Sequence, residues 1–313
     1  MTRTITVFLA DAFTTVPGKG NRAGVVLDAS GLSDAAMQAV AALVGVSETA
    51  FLSPAPSGAD YDLVQRYFTP EVEVPTCGHA TIGSHFVRAR ALGMTNGRVR
   101  IKTGAGVLPI DIETVEGALK VTMTQGAVAF TPPYDAPMVE AILAALGLGP
   151  DDLADGLPVQ EVSTGHSKVM VPIRSVAVLD GLAPDMAALR ALSREIGCNG
   201  YFVFVLDGEG DACLTSGRMF APAVGIDEDP VTGNGNGPCG AYLSRYGILP
   251  GRPVFSYLGR QGVAMGREGT IEVTVTRDAS GSHKVQVGGT AVEAGCLEIE
   301  LSDKNGYISA TIL

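Results

Sequence analysis

No apolar run in the 313 residues reaches the ~18 that a membrane span needs. Basic residues are the minority, with 22 Lys and Arg against 33 Asp and Glu. The resulting net charge of −11 lacks the basic stripe that nucleic acid requires, and an acidic surface of this kind keeps a protein soluble. Cysteine is scarce and odd in number, at positions 77, 198, 213, 239 and 296 without paired spacing. The start, Met-Thr-Arg-Thr-Ile-Thr-Val-Phe-Leu-Ala-Asp, reads as a strand rather than a leader, so reduced thiols and a cytoplasmic location are expected. The four histidines (79, 85, 166 and 283) form no zinc signature, and neither Cys-x-x-Cys nor His-Glu-x-x-His occurs. No metal site is expected.

What is present is a globular composition, 46% hydrophobic and 18% charged, in a chain long enough for two lobes of ordinary size. The chain also repeats itself. Arg66-Tyr-Phe-Thr-Pro-Glu-Val and Arg218-Met-Phe-Ala-Pro-Ala-Val share a grammar, offset by 218 − 66 = 152 residues, and each leads through an acidic run into a glycine turn. The same offset carries Met37, Val40, Val44 and Gly45 onto Leu189, Leu192, Ile196 and Gly197. In both, the apolar positions fall at i, i+3 and i+7, one stripe of a helix that ends at glycine. A repeat of about 150 residues is too long for a solenoid unit. It predicts two similar lobes related by a pseudo-twofold, with the glycine turns facing a shared cleft, where ligand sites are favoured.

In chain order, the first lobe reads as strand 4–10, a glycine-broken turn at 18–24, strand 25–27 and a helix capped by Ser33 that runs to Val44. Residues 45–51 carry the chain from that helix into another strand, 62–68 alternates as a strand, and a helix at 78–92 and strands at 98–102, 107–113 and 119–124 follow. Residues 126–137, with three prolines, are read as the linker. The second lobe then shows helices at 137–147 and 185–196, strands at 201–206 and 214–220, a glycine turn with a helix from Pro238 to Tyr246, and closing strands near 270–276, 284–291 and 296–301. Gly165-His-Ser-Lys-Val-Met-Val171 echoes Gly20-Asn-Arg-Ala-Gly-Val-Val26. The boundaries expected are 1–126 for the N-terminal lobe, with 303–313 a candidate to complete it, and 127–302 for the C-terminal lobe.

Both glycine turns open helices and so offer unpaired N–H groups and a positive dipole end, suited to a carboxylate. In the second turn Gly233, Asn234 and Gly235 are the candidate contacts, because missing side chains let a ligand approach the backbone. Gly235-Asn-Gly-Pro-Cys-Gly240 matches a dinucleotide fingerprint, but no strand runs into it and no acid follows about 20 residues on, so a nicotinamide oxidoreductase is set aside. Glu48, among small and apolar neighbours, has no counterpart at Gly200. Buried, its pKa would rise and suit it to proton transfer; on a strand edge it would face water. Cys77 and His79 flank Gly78. A nucleophilic pair is one reading, and a small buried cysteine beside a ligand-binding histidine is the preferred one, since residues two apart in a turn rarely face each other. His85 is read as structural or surface. Asn21 and His166, at echoing turns, are candidates to line the cleft. Asp227-Glu-Asp-Pro230 is either solvated surface or the source of one ligand-binding carboxylate, and Arg66 and Arg218 are read as anchors for the acidic runs.

Taken together, Asp11-Ala-Phe-Thr14, Gly20-Asn-Arg-Ala-Gly-Val-Val-Leu-Asp28, Ser47-Glu-Thr-Ala-Phe51, Arg66-Tyr-Phe-Thr-Pro70, Cys77-Gly-His-Ala-Thr81 and Gly225-Ile-Asp-Glu-Asp-Pro-Val-Thr-Gly233 resemble the PhzF-like (phenazine biosynthesis isomerase-like) family. The ending Thr-Gly-Asn-Gly-Asn-Gly is similar to its YddE-type branch. The resemblance implies an α+β, diaminopimelate epimerase-like fold: two pseudo-symmetric lobes, each a mixed sheet or barrel wrapped around a central helix. It implies cofactor-independent isomerisation, with Glu48 shuttling a proton and Gly78, His79 and Asp229 contacting substrate. The epimerase relatives use a cysteine at each turn; here Cys77 is present and the second turn has Thr232, so a two-cysteine mechanism lacks a partner. Where the phenazine enzyme has serine after Thr-Gly, this chain has Asn234, which alters pocket shape.

The expectation is therefore an isomerase that moves a proton between carbons of a small amino- or hydroxy-carboxylic acid. Glu48, Asp229 and His79 carry the chemistry, and Gly78, Cys77, Asn21, Gly233, Asn234, Gly235 and His166 contact substrate. No cofactor, nucleic acid or membrane is expected as partner, and a homodimer is compatible with the family. The alternative is a non-catalytic protein that binds small carboxylates on the same scaffold.

Overall fold

The computed structural model describes residues 2–207, 213–249, 251–279, 281–304 and 307–313. In order, the elements are β1 (Thr2–Ala12), β2 (Asn21–Val26), α1 (Asp34–Val44), β3 (Glu48–Pro54), β4 (Leu63–Phe68), β5 (Glu73–Val74), α2 (Gly78–Leu92), β6 (Gly97–Thr103), β7 (Gly106–Val115) and β8 (Ala118–Thr124). There follow β9 (Ala129–Phe130), α3 (Ala136–Leu146), β10 (Gln160–Ser163), β11 (Ser167–Ile173), α4 (Val176–Asp180), α5 (Met186–Ile196), β12 (Tyr201–Leu206), β13 (Cys213–Ala221) and β14 (Ile226–Asp229). The chain ends with α6 (Gly233–Arg245), β15 (Val254–Gln261), β16 (Gly269–Arg277), β17 (His283–Gly289), β18 (Ala291–Lys304) and β19 (Tyr307–Ile312). Among the described residues no helix is long and apolar enough to cross a membrane.

Two compact units result, Met1–Met123 with Gly288–Leu313, and Thr124–Val287. The first thus takes up residues 288–302, which the sequence reading placed in the second lobe. The reason is strand pairing: β18 lies antiparallel to β1 from Thr2↔Ser302 to Ala12↔Ala291. β19 pairs with β18 in turn, so the C-terminal strand belongs to the first unit; Asn305 and Gly306 of the 303–313 segment lie outside the described residues. Residues 126–137, read as a linker, carry β9, which pairs with β10 inside the second unit.

Each unit surrounds one helix. In the first, Ser33 caps α1 at the amide of Ala36, and Gly45 closes it at φ 68°. Met37, Val40 and Ala41 of α1 pack with Ile5, Val7, Phe51, Phe68, Ile299 and Leu301 on one side of the sheet. On the other side lies α2, buried at Ala80, Ile82, Gly83, Phe86 and Val87. Its approach depends on small residues, since a Cβ at Gly83 would stand 3.2 Å from Ala10 Cβ. In the second unit α3 and α5 bury Ile142, Leu146 and Leu189 against Val169, Val171, Ile173 and Val203, while α6 fills the opposite side.

α6 begins at Gly233, five residues before the start expected at Pro238, and the proline stands inside the helix. Glycine and proline oppose helix formation in isolation, but tertiary packing overrides them here. A Cβ on Gly235 would stand 2.6 Å from the Phe202 ring, and one on Gly240 2.6 Å from Val273. Larger residues do not fit, and the burial gained by close approach outweighs the backbone entropy lost.

Candidate active site

Glu48 is the first residue of β3, opposite Ala23 of β2 in a parallel pairing. Alternation along β3 sends Phe51 to the α1 layer and turns Glu48 and Ala50 toward α2. There Glu48 meets the first turn of α2, where Cys77 is the N-cap and Gly78 the first helical residue. Glu48 Oε2 lies 3.2 Å from His79 Nε2, and Ser47 Oγ lies 3.2 Å from the same nitrogen. The Cys77 Sγ is 3.5 Å from His79 Nδ1. All three residues are buried: Glu48 is 8%, Cys77 6% and His79 6% exposed. Glu48 therefore does not face water. Cys77 and His79, two apart, do meet, because the extended N-cap (φ −147°, ψ 122°) turns the thiol back onto the ring.

The electrostatics correct one expectation. Burial does push Glu48 upward, but the charge of His79, with hydrogen bonds from His79, Ser47 and Cys77, outweighs it and leaves the carboxyl below its usual value. Burial opposes the His79 imidazolium, yet the charge of the Glu48 carboxylate and the hydrogen bonds to Cys77 and Glu48 raise it well above its usual value. The Cys77 thiol is pushed up by burial and by Glu48. At neutral pH the group is a carboxylate–imidazolium pair beside a neutral thiol. Glu48, Cys77 and His79 also form a set, among the described residues, with donor atoms within 4.8 Å of one another. Carboxylate, imidazole and thiolate would suit a zinc-like ion, which here would displace the shared proton.

His85 is buried on α2, with Nε2 2.9 Å from Gln65 Oε1; burial lowers it to about 3. It is a neutral core residue. Asn21 opens β2 opposite Ala12 and is buried. Just before it, Gly20 has φ +62°, and a Cβ there would stand 2.2 Å from the Ala12 carbonyl oxygen. Asp11, fully buried, holds this turn by accepting from Arg22 Nε at 2.7 Å and from the Gly18 amide at 2.7 Å.

In the second unit the acidic run divides. Glu228 accepts from Arg218 Nε and Nη2 at 2.8 and 2.7 Å, as Glu73 does from Arg66; both arginines are anchors. Asp227 is exposed at its side chain. Asp229 accepts from the Thr232 hydroxyl at the N-cap of α6. The amides of Gly235 and Asn236 donate to Thr232 O at 3.1 and 3.0 Å, and that of Gly237 is interior to the helix. Of the candidate contacts Gly233, Asn234 and Gly235, only the amides of Gly233 and Asn234 remain for a carboxylate. His166, half-buried at the turn into β11, is lowered by burial and by Lys168.

Three supports escaped sequence reading. Gln261 accepts from the Thr232 amide at 3.0 Å and from Asn236 Nδ2 at 2.9 Å while donating to Asp229 O at 2.7 Å. Gln125 Nε2 donates to Gly233 O at 2.9 Å and Asn234 Oδ1 at 3.2 Å. Lys168, at the start of β11, is buried. The glutamines carry no motif and sit far from the turn in sequence; Lys168 stood inside the echoed segment Gly165–Val171, and a lone lysine there was the one available signal.

The family of phenazine biosynthesis-like proteins matches residues 10–295, and this chain belongs to it. It is 48% identical to the uncharacterized isomerase YddE of Escherichia coli strain K12 across 91% of this chain and 95% of that one. It is 31% identical to the trans-2,3-dihydro-3-hydroxyanthranilate isomerase of Pseudomonas fluorescens, covering 92% and 96% of the two chains. A crystal structure of a Bacillus anthracis PhzF-family protein superposes with TM-score 0.86 at 34% identity, over 95% of this chain and 99% of that one. The fold is diaminopimelate epimerase-like. A hydroxyproline epimerase from Agrobacterium vitis shares it at TM-score 0.62 and 15% identity, over 97% and 94% of the chains.

Proposed function

We propose that this protein is a cofactor-independent isomerase that moves a proton between two carbons of a small amino- or hydroxy-carboxylic acid. The observation that carries the reading is the buried Glu48–His79 pair, 3.2 Å apart, on a family scaffold whose relatives are named isomerases. The Glu48 carboxylate takes a proton from a substrate carbon, the C–H electron pair delocalises into the adjoining double bond, and Glu48, its proton exchangeable with solvent, returns a proton to the far carbon. No electron is gained or lost. A carboxyl held below its usual value is ionised before the first step and gives its proton back readily in the second. His79, held as an imidazolium, stabilises the charge developing on the substrate, and the Cys77 thiol stays neutral. Asp229 recognises a polar group of the substrate, and the Gly233 and Asn234 amides favour its carboxylate. Asn21, Gly78 and His166 complete the substrate contacts in this reading; Gly235, its amide bonded to Thr232 O and its Cα packed against Phe202, does not.

The test is proton exchange in D₂O. Native protein and Glu48→Gln are incubated with trans-2,3-dihydro-3-hydroxyanthranilate and a panel of small amino and hydroxy acids, and read by NMR and mass. Deuterium should enter carbon with the native protein only, before and after dialysis against EDTA. Full exchange by Glu48→Gln would overturn the mechanism, and loss of exchange in EDTA would replace the proton at Glu48–Cys77–His79 with a metal. Ligand binding that survives Glu48→Gln, without exchange in either protein, would make the chain a carboxylate-binding protein on an enzyme scaffold.

A further inference from the structure

Lys168 is only 5% exposed. Its Nζ donates to the carbonyl of the preceding residue, Ser167, at 3.1 Å, and it forms no ion pair with a described residue. A backbone carbonyl covers one of three N–H bonds and none of the charge. Burying an ammonium without a counterion costs several kcal/mol, so this position asks for an anion.

Its placement in the second unit follows from register. Val169, Val171 and Ile173 enter the α3–α5 core, so Lys168 and Met170, by alternation, take the α6 side. Met170 is paired with Phe202, whose ring lies against Gly235 of α6. Phe202 is paired with Met219, and Met219 with Asp229, which puts Asp229 on that side too. Burial lowers the ammonium to about 8, against the opposing influence of Cys198, Asp229 and Glu161; His166, at the adjoining turn, is the other titratable neighbour.

The internal repeat gives this lysine a counterpart. In the first unit the parallel β2–β3 pair sets Ala23 opposite Glu48. In the second unit the parallel β11–β12 pair sets Val169 opposite Tyr201, and hence Lys168 opposite Gly200, with Val169 N bonded to Gly200 O at 2.9 Å. Glu48 and Gly200 are related by the offset of 152 that relates Arg66 and Arg218. One row thus carries an acid on its second strand in one unit and a base on its first strand in the other. The exchange has a steric cause. Gly200 has φ +138°, and a Cβ there would stand 2.5 Å from the Phe220 carbonyl oxygen and 2.8 Å from the Met219 methyl. With no side chain admitted at 200, the ionisable group stands across the row.

We propose that Lys168 is the carboxylate-binding cation of the second unit, and that with Asp229 on the same face it selects ligands bearing a carboxylate beside a hydrogen-bond-donating ammonium or hydroxyl. This rests on the assignment of Asp229 to the substrate, and it narrows the substrate class to α- or β-amino and hydroxy acids.

The test needs no substrate. The 13Cε resonance of Lys168, identified by its disappearance in Lys168→Arg, is titrated in acetate and in chloride at equal ionic strength. A carboxylate that binds only the ammonium raises the midpoint by linkage, by about one unit once acetate reaches ten times its Kd. Glu48→Gln should show the same rise, so this result is independent of the proton-transfer chemistry. Identical midpoints in the two salts up to molar acetate would overturn the proposal. In a second arm, calorimetry follows 3-hydroxyanthranilate and its carboxamide. Lys168→Met should weaken the carboxylate about 10- to 100-fold and the amide little, with Lys168→Arg close to native. Equal loss for both ligands would show a structural role and refute it.

Discussion

Glu48→Gln preserves side-chain shape and removes one charge 3.2 Å from His79 Nε2. At an effective dielectric constant of about 20, the attraction lost is about 5 kcal/mol. The hydrogen bond to Cys77 remains, but the ring stays buried, and burial, the largest influence on it, opposes the imidazolium. The variant should therefore hold His79 neutral at pH 7, where the native protein holds it charged. Ring 15N shifts in a 1H–15N NMR titration report this directly. The catalytic loss is that of a general base, about 10²- to 10⁴-fold in the rate of deuterium entry into substrate carbon, or about 3–5 kcal/mol in barrier. An unchanged His79 titration would show that the carboxylate does not hold the imidazolium. A rate within a few-fold of native would show that it does not take the proton.

Activity should plateau between two limbs: Glu48 must be ionised, so the acid limb lies below the usual 4.5, and His79 must be charged, so the alkaline limb lies above 6.5. The same signs govern stability. The contribution of His79 is complete below 6.5 and lost as pH rises through its folded value, and that of Glu48 is present above 4.5 and lost as pH falls through its own; urea midpoints across the pH range check both. Gly235→Ala should lower folding stability by about 1–3 kcal/mol through overpacking against Phe202, as should Gly200→Ala against the Phe220 carbonyl, measured by denaturant unfolding. Arg218→Ala should cost about 3–5 kcal/mol, since the guanidinium is buried and also donates to the Leu179 and Leu182 carbonyls. Arg66→Ala, whose partner Asp34 is 81% exposed, should cost about 1 kcal/mol or less. Equal losses for the two arginines would show that burial does not separate them.

The local structure was legible because its signals are local. Ser33 and Gly45 bracket α1 by capping chemistry, and the 78–92 helix is bounded by Cys77 and Gly93. The duplication was legible because side-chain periodicity survives in each copy. It also drew attention to the Glu48/Gly200 asymmetry and to the arginine anchors, since a repeated motif keeps its ion pairs. Tertiary structure decided the rest. Residues 288–302 join the first unit because hydrogen-bond partners for β1 lie almost the whole chain away, and pairing over that distance leaves no local trace. α6 starts at Gly233 because Phe202 and Val273 crowd its glycines, a steric demand that overrides propensity. The direction in which Glu48 is shifted was misjudged from sequence because burial was visible there in outline and its countercharge was not. A pKa is set by distances of a few ångströms, and only the folded chain brings His79, Ser47 and Cys77 that close to the carboxylate.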